Sequence, residues 1–149
     1  MVVLNIIFIV GFGWIYLNEK LNNFERIFIL FIVFCQALLI TILFIEKLKK
    51  LKDPLHYTIP LSVLLAIFIS NKKLLALSLI IFGSIILLWK MNKNRCIMND
   101  VDSNGKEKTI LAASINKVIN KYIFDMGDNG FTYFSYIWWG ILFGKFILA

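Results

Sequence analysis

Residues 27–45 read IFILFIVFCQALLITILFI, nineteen consecutive positions without a charged side chain. At about 1.5 Å per residue, a helix of that length extends about 28 Å, close to the roughly 30 Å hydrocarbon core of a bilayer. Four further apolar blocks flank it. Residues 2–17 form the first, with Trp14 and Tyr16 near its end as interfacial anchors. Residues 57–70 and 74–89 form the third and fourth, the latter ending at Trp89 and Lys90, and FTYFSYIWWGILFGKFILA (131–149) forms the fifth. The expected fold is all-α: a small polytopic membrane helical bundle of about five apolar segments, the third and fourth making a short hairpin, plus one interfacial amphipathic helix. Residues 1–89 would hold the first four membrane helices, 90–130 a cytoplasmic loop, and 131–149 the last membrane helix.

Composition points the same way. Of 149 residues, 60% are hydrophobic, and the mean hydropathy is +0.80. Average globular composition is nearer half apolar, so a soluble domain of this length could not hide so much oily surface. The formal net charge of +7 raises nucleic-acid binding as a function. However, Lys47, Lys49, Lys50, Lys52, Lys90, Lys93 and Arg95 sit just outside the apolar blocks, where membrane orientation and anionic headgroups account for them. No nucleic-acid recognition fold is visible, so the expected partners are the lipid bilayer and either other membrane protein subunits or further copies of the chain. MVVLNIIFIV at the amino terminus lacks a charged n-region and a small-residue cleavage site, and reads as a retained first helix.

The third block needs arithmetic, because fourteen residues reach only about 21 Å. Either Lys72 and Lys73 snorkel and the membrane thins, or the third and fourth blocks form a hairpin that does not fully cross. Both return the chain to the side it started from. Counting cations by side, residues 46–56 and 90–130 carry eleven, against four (Lys20, Arg26, Lys72, Lys73) on the opposite side. The positive-inside rule then places the amino terminus and the long loop in the cytoplasm and the carboxyl terminus outside. The protein is thus expected in the plasma membrane or an equivalent one. Within the loop, residues from about 109 to 126 show helical period. Leu111, Ile115, Val118, Ile119, Tyr122 and Met126 share one face, with Asn116, Lys117, Asn120 and Lys121 mostly opposite. Such a helix suits the headgroup layer, its Lys117 and Lys121 near anionic lipid, although packing on a partner protein would leave the same pattern.

Candidate chemistry is sparse. NDVDSNGKEK (99–108) resembles the opening of a calcium loop, with Asp100, Asp102, Asn104 and Gly105 in place. The twelfth position, which needs a bidentate acid, is Leu111, while the seventh and ninth are Lys106 and Lys108. The stretch is a solvated turn, and no metal site is expected. Cys35 and Cys96 would lie at different depths, so no disulfide between them is expected. His56, three residues from Asp53, could act as an oriented general base but has no nucleophile beside it in sequence; a Pro-flanked interface position suits it better. Glu19 and Glu25 lie beside Lys20 and Arg26 and could neutralise one another. No catalytic residue or cofactor is expected.

Small residues at contact spacing are the positive signal. Ser62, Ala66 and Ser70 recur every four residues, Gly140 and Gly144 form G-x-x-x-G, and Ala37 stands four before Thr41. This spacing allows close helix approach. The expected function is a non-enzymatic membrane protein acting through helix packing: an accessory subunit, an assembly factor or an immunity-type protein. A small oligomeric transporter or channel is the alternative, with Gln36 and Thr41 as polar path. Lys145 near the end of the fifth block can snorkel to the outer interface, so no buried charge relay is evident. A lipid-active enzyme using His56 and Asp53 comes third.

Overall fold

The computed structural model describes residues 2–45, 55, 58–91, 117, 121 and 130–149, and every regular element among them is helical. The helices are α1 (Val2–Asn18), α2 (Asn23–Phe44), α3 (Thr58–Leu65), α4 (Lys72–Met91) and α5 (Gly130–Leu148); α3 continues into a 3-10 turn, Ala66–Phe68. Lys117 and Lys121 are also helical and exposed, and the rest of the expected amphipathic helix lies outside the described residues. So do His56, Asp53, Cys96 and the 99–108 loop.

The ends of the helices follow from particular side chains. Asn22 and Glu25 form a capping box on α2: Asn22 Oδ1 accepts from the Glu25 N–H at 2.9 Å, and Glu25 Oε2 accepts from the Asn22 N–H at 3.0 Å. Asn71 caps α4, its Oδ1 accepting from the Leu74 N–H at 3.0 Å. Asn18 closes α1 by donating from Nδ2 to the Trp14 carbonyl at 2.8 Å. Pro60 falls in the first turn of α3, where its missing N–H costs no helical bond.

The third and fourth segments differ in length. The cap at Asn71 draws Lys72 and Lys73 into the first turn of α4, which runs for 20 residues, about 30 Å. Lysine is a good helix former, and its apolar stem lets the helix continue past the end of the apolar run. α3, by contrast, has 8 residues, and with the 3-10 turn it reaches only about 18 Å.

Contacts divide the chain into two compact units, Met1–Ile81 with Leu142–Ala149, and Phe82–Ile141. In the first, α1 and α2 form an antiparallel pair with the most extensive packing between elements. Their buried stripes are Asn5, Phe8, Phe12 and Ile15 on α1, and Glu25, Phe28, Ile29, Ile32, Cys35, Gln36, Leu39 and Ile42 on α2. These recur at three- and four-residue intervals, the seam of closely packed helices. Phe8 stacks on Phe12 at 6.3 Å, and Phe12 meets Phe28 edge-on at 6.4 Å. Phe24 stacks on Phe28 and meets Phe68 of the 3-10 turn edge-on at 6.0 Å. Gly11 lets Leu77 approach: a Cβ there would come within 3.2 Å of a Leu77 methyl. In the second unit, Gly83 does the same for Trp139, whose Nε1 would lie 3.2 Å from such a Cβ, and Phe134 stacks on Trp138 at 6.0 Å.

Candidate functional site

Buried or paired polar groups of the first unit occur in two places, at the helix ends and in the interior. The first centres on Glu25, which is 2% exposed. Its Oε2 closes the α2 capping box, while Oε1 accepts from the backbone N–H groups of Ser70 and Asn71 at 2.7 and 2.6 Å. A single carboxylate thus serves the amino-terminal ends of both α2 and α4, where unpaired N–H groups and helix dipoles favour negative charge. Lys145 answers it with the opposite sign, donating from Nζ to the carbonyls of Ile67 and Ile69, where the 3-10 turn ends and carbonyls lack helical donors. Lys73 pairs with Glu19 at 2.6 Å, and Lys72 Nζ stands 5.4 Å from the centre of the Phe146 ring. The hydrogen bond from Lys73 holds the Glu19 carboxyl below its ordinary range against the raising effect of burial, with smaller help from the Lys73 charge.

These contacts place five chain ends at one level: the end of α1, the start of α2, the end of the 3-10 turn, the start of α4 and the end of α5. They also differ from the sequence expectation for the acids, since Glu19 pairs with Lys73 and Glu25 binds backbone N–H groups. The signal for Glu25 was present in Asn22-x-x-Glu25 just before an apolar run, the pattern of a capping box. The bond to Ser70 and Asn71 spans 45 residues or more, and no local pattern announces it.

The second gathering lies along the interior. Asn5, Gln36, Ser62 and Ser78 are all buried. Ser62 Oγ donates to the Thr58 carbonyl at 2.6 Å and Ser78 Oγ to the Leu74 carbonyl at 2.9 Å, so both hydroxyls are satisfied within their helices. The Cys35 thiol is buried and free. Asn5 Nδ2 and Gln36 Oε1 have no partner.

The residues singled out for packing occupy varied environments. Ala66 is wholly buried and Ser62 nearly so, whereas Ala37, Thr41 and Ser70 are exposed. Thr41 Oγ1 donates to the Ala37 carbonyl at 2.9 Å. Thr41 therefore lies on the open side of α2 while Gln36 lies on the buried side, so the two do not line one path within this chain. Gly140 and Gly144 face open space, and the close approaches occur at Gly11 and Gly83. Trp14 and Tyr16 are exposed, Lys145 is partly covered, and Trp89 falls in the last turn of α4.

Chemically, the Glu25 carboxylate is saturated by donors and the Lys145 ammonium is committed to carbonyls. Among the described residues, no group of three or more His, Cys, Asp or Glu side chains could hold a metal ion. No family model, curated protein or solved structure matches the chain. Among the described residues, these features define an all-helical protein in which one helix, α2, is long and apolar enough to cross a membrane: residues Asn23–Ile42 have a mean hydropathy of 2.1.

Proposed function

We propose that the protein is a polytopic integral membrane protein that works by packing its helices against other membrane proteins, as an accessory subunit, an assembly factor or an immunity-type protein. In this arrangement α1, α2, α4 and α5 cross the bilayer and α3 covers only part of its depth. The amino terminus and the 92–129 segment face the cytoplasm, and the carboxyl terminus faces out. The observation that carries the proposal is the outward apolar surface of these four long helices. Val3, Val10, Trp14 and Leu17 on α1, Ile27, Phe34 and Phe44 on α2, Ile80 and Leu87 on α4, and Ile137 and Ile147 on α5 are all well exposed. Large apolar side chains exposed along four long helices mark lipid or protein contact rather than water. The most polar gathering, around Glu25 and Lys145, lies at the helix ends, where headgroups and water are within reach. Gly140, exposed with open space above its Cα, offers a helix surface that a neighbouring helix could approach closely.

Purification of the tagged full chain in mild detergent tests this. Copurification of a defined membrane partner, lost on Gly140→Leu while the chain itself stays folded, is the expected result. A homogeneous monomer with no partner at any protein load overturns it.

A second function, a small oligomeric transporter or channel, is favoured by the unpaired amide oxygen of Gln36 inside α2. Reconstituted solute flux that disappears in Gln36→Leu would select it over the packing role.

A further inference from the structure

The α1–α2 seam contains two orphan atoms of opposite hydrogen-bonding character. Asn5 is 3% exposed and its Nδ2, a donor, has no acceptor; Gln36 is 2% exposed and its Oε1, an acceptor, has no donor. Buried amide groups are almost always paired, because an unmade bond forfeits the hydration they gave up.

The hairpin brings the two to the same depth. Phe12 of α1 touches Phe28 of α2, which fixes the register of the antiparallel pair. Asn5 lies seven residues before Phe12, and Gln36 lies eight after Phe28. At about 1.5 Å per residue, both stand about 10–12 Å beyond the Phe12–Phe28 contact, in the same direction. Each belongs to its helix's buried stripe, Asn5 one turn from Phe8, and Gln36 between Ile32 and Leu39. A buried donor and a buried acceptor thus share one level of the hairpin without bonding each other.

We propose that Asn5 and Gln36 form an internal site for one small neutral molecule, which accepts a hydrogen bond from Asn5 Nδ2 and donates one to Gln36 Oε1. The chemistry fixes the class. The molecule needs both an acceptor and a donor, as water has and as a small alcohol or amide has. An ion is disfavoured, because neither side chain carries charge and the adjoining stripe residues are phenylalanine, isoleucine and leucine, which cannot replace an ion's hydration. Water is the smallest molecule that meets the requirement, and two-sided polar bridging is how buried water is ordinarily held. The proposal rests on the hairpin alone and is independent of any partner protein.

Nuclear magnetic resonance on the full chain in lipid nanodiscs tests it, with water itself as the probe. The protein is labelled with nitrogen-15 at asparagine side chains, and the Asn5 amide is assigned by its disappearance in Asn5→Leu. The expected result is magnetisation transfer between water and the Asn5 amide protons in the wild type. It should fall at least fivefold in Gln36→Met, a change that keeps side-chain length and removes the acceptor, while the Asn5 signal itself remains. Transfer that is absent in the wild type, or that survives unchanged in Gln36→Met, overturns the proposal; so does a direct through-space correlation between the two amides with no water signal. Thermal unfolding supplies a second measurement. The midpoint of Asn5→Leu/Gln36→Met should be no lower than that of either single variant, because the pair and its bridge are removed together; simple addition of two losses overturns the coupling.

Discussion

Glu25 shows how one side chain can organise several helix ends. Its carboxylate takes three backbone N–H groups, from Asn22, Ser70 and Asn71, and it does so while 2% exposed. Replacement by alanine leaves all three donors without this acceptor in a partly covered site, at about 1–3 kcal/mol for each group that water cannot reach. We expect Glu25→Ala to destabilise the protein by about 3–5 kcal/mol and Glu25→Gln by about half as much, since glutamine keeps one acceptor oxygen. Denaturant unfolding in detergent checks this, and equal stability of all three proteins would remove Glu25 from its central place. Glu19 supplies the pH dependence. Its carboxyl is held below the ordinary value of 4.5, chiefly by the Lys73 hydrogen bond, so the stabilisation is fully present above 4.5 and is lost as pH falls through the lowered folded value. A small fall in unfolding temperature between pH 5 and pH 3 is expected from this pair, shrinking in Glu19→Gln; the exposed Lys73 end keeps it small. Other carboxyls titrate in the same window, so the comparison of the two proteins carries the result.

At the scale of the helices, close approach is set by Gly11 and Gly83. A Cβ at Gly11 would press on the end of a leucine and one at Gly83 on the indole of Trp139, each at 3.2 Å. The leucine can rotate away more readily than the indole, so Gly11→Ala should be tolerated and Gly83→Ala should cost more. Gly11→Leu should destabilise by about 1–3 kcal/mol, the usual penalty of overpacking. Gly140→Leu meets open space and should shift the stability of the isolated chain by no more than about 0.5 kcal/mol. Thermal scans of the four variants in one detergent would show that order, and a Gly140 variant as damaged as Gly11→Leu would contradict it. Helix positions were legible in the sequence wherever an apolar run was bounded by polar residues: α1, α2, α4 and α5 fall within a few residues of the expected blocks. The end of α3 at Leu65 was not, because no polar residue interrupts the apolar run there. The glycine contacts were equally hidden, since G-x-x-x-G spacing says that a helix could approach and only the tertiary arrangement says whether one does. The Asn5–Gln36 level required the register of two helices, which neither apolar run contains by itself.

For the whole molecule, the decisive question is how the chain sits in a bilayer, and here the polar ends and the charge bias support one another. The contacts of Glu19, Glu25, Lys73 and Lys145 put five helix ends at one level, so the chain runs alternately up and down through the first unit. If α2 crosses, the end of α1, the 69–71 turn and the end of α5 share one side, and the end of α2 lies on the other. Residues 46–56 and 90–130 hold eleven cations, against five elsewhere in the sequence (Lys20, Arg26, Lys72, Lys73 and Lys145), and positive charge is retained in the cytoplasm. A topology reporter fused after residue 105 should therefore read cytoplasmic and one fused after Ala149 should read external. Replacing Lys47, Lys49, Lys50 and Lys52 by glutamine leaves seven cations against five, a bias carried wholly by the longer segment, where charges far from a helix end weigh less. That variant should show a mixed orientation, with both reporters partly active on both sides. An unmixed orientation would mean that the 90–130 cations suffice alone, and a wild-type reporter at residue 105 on the outside would reverse the whole arrangement, placing the Glu25–Lys145 end in the cytoplasm.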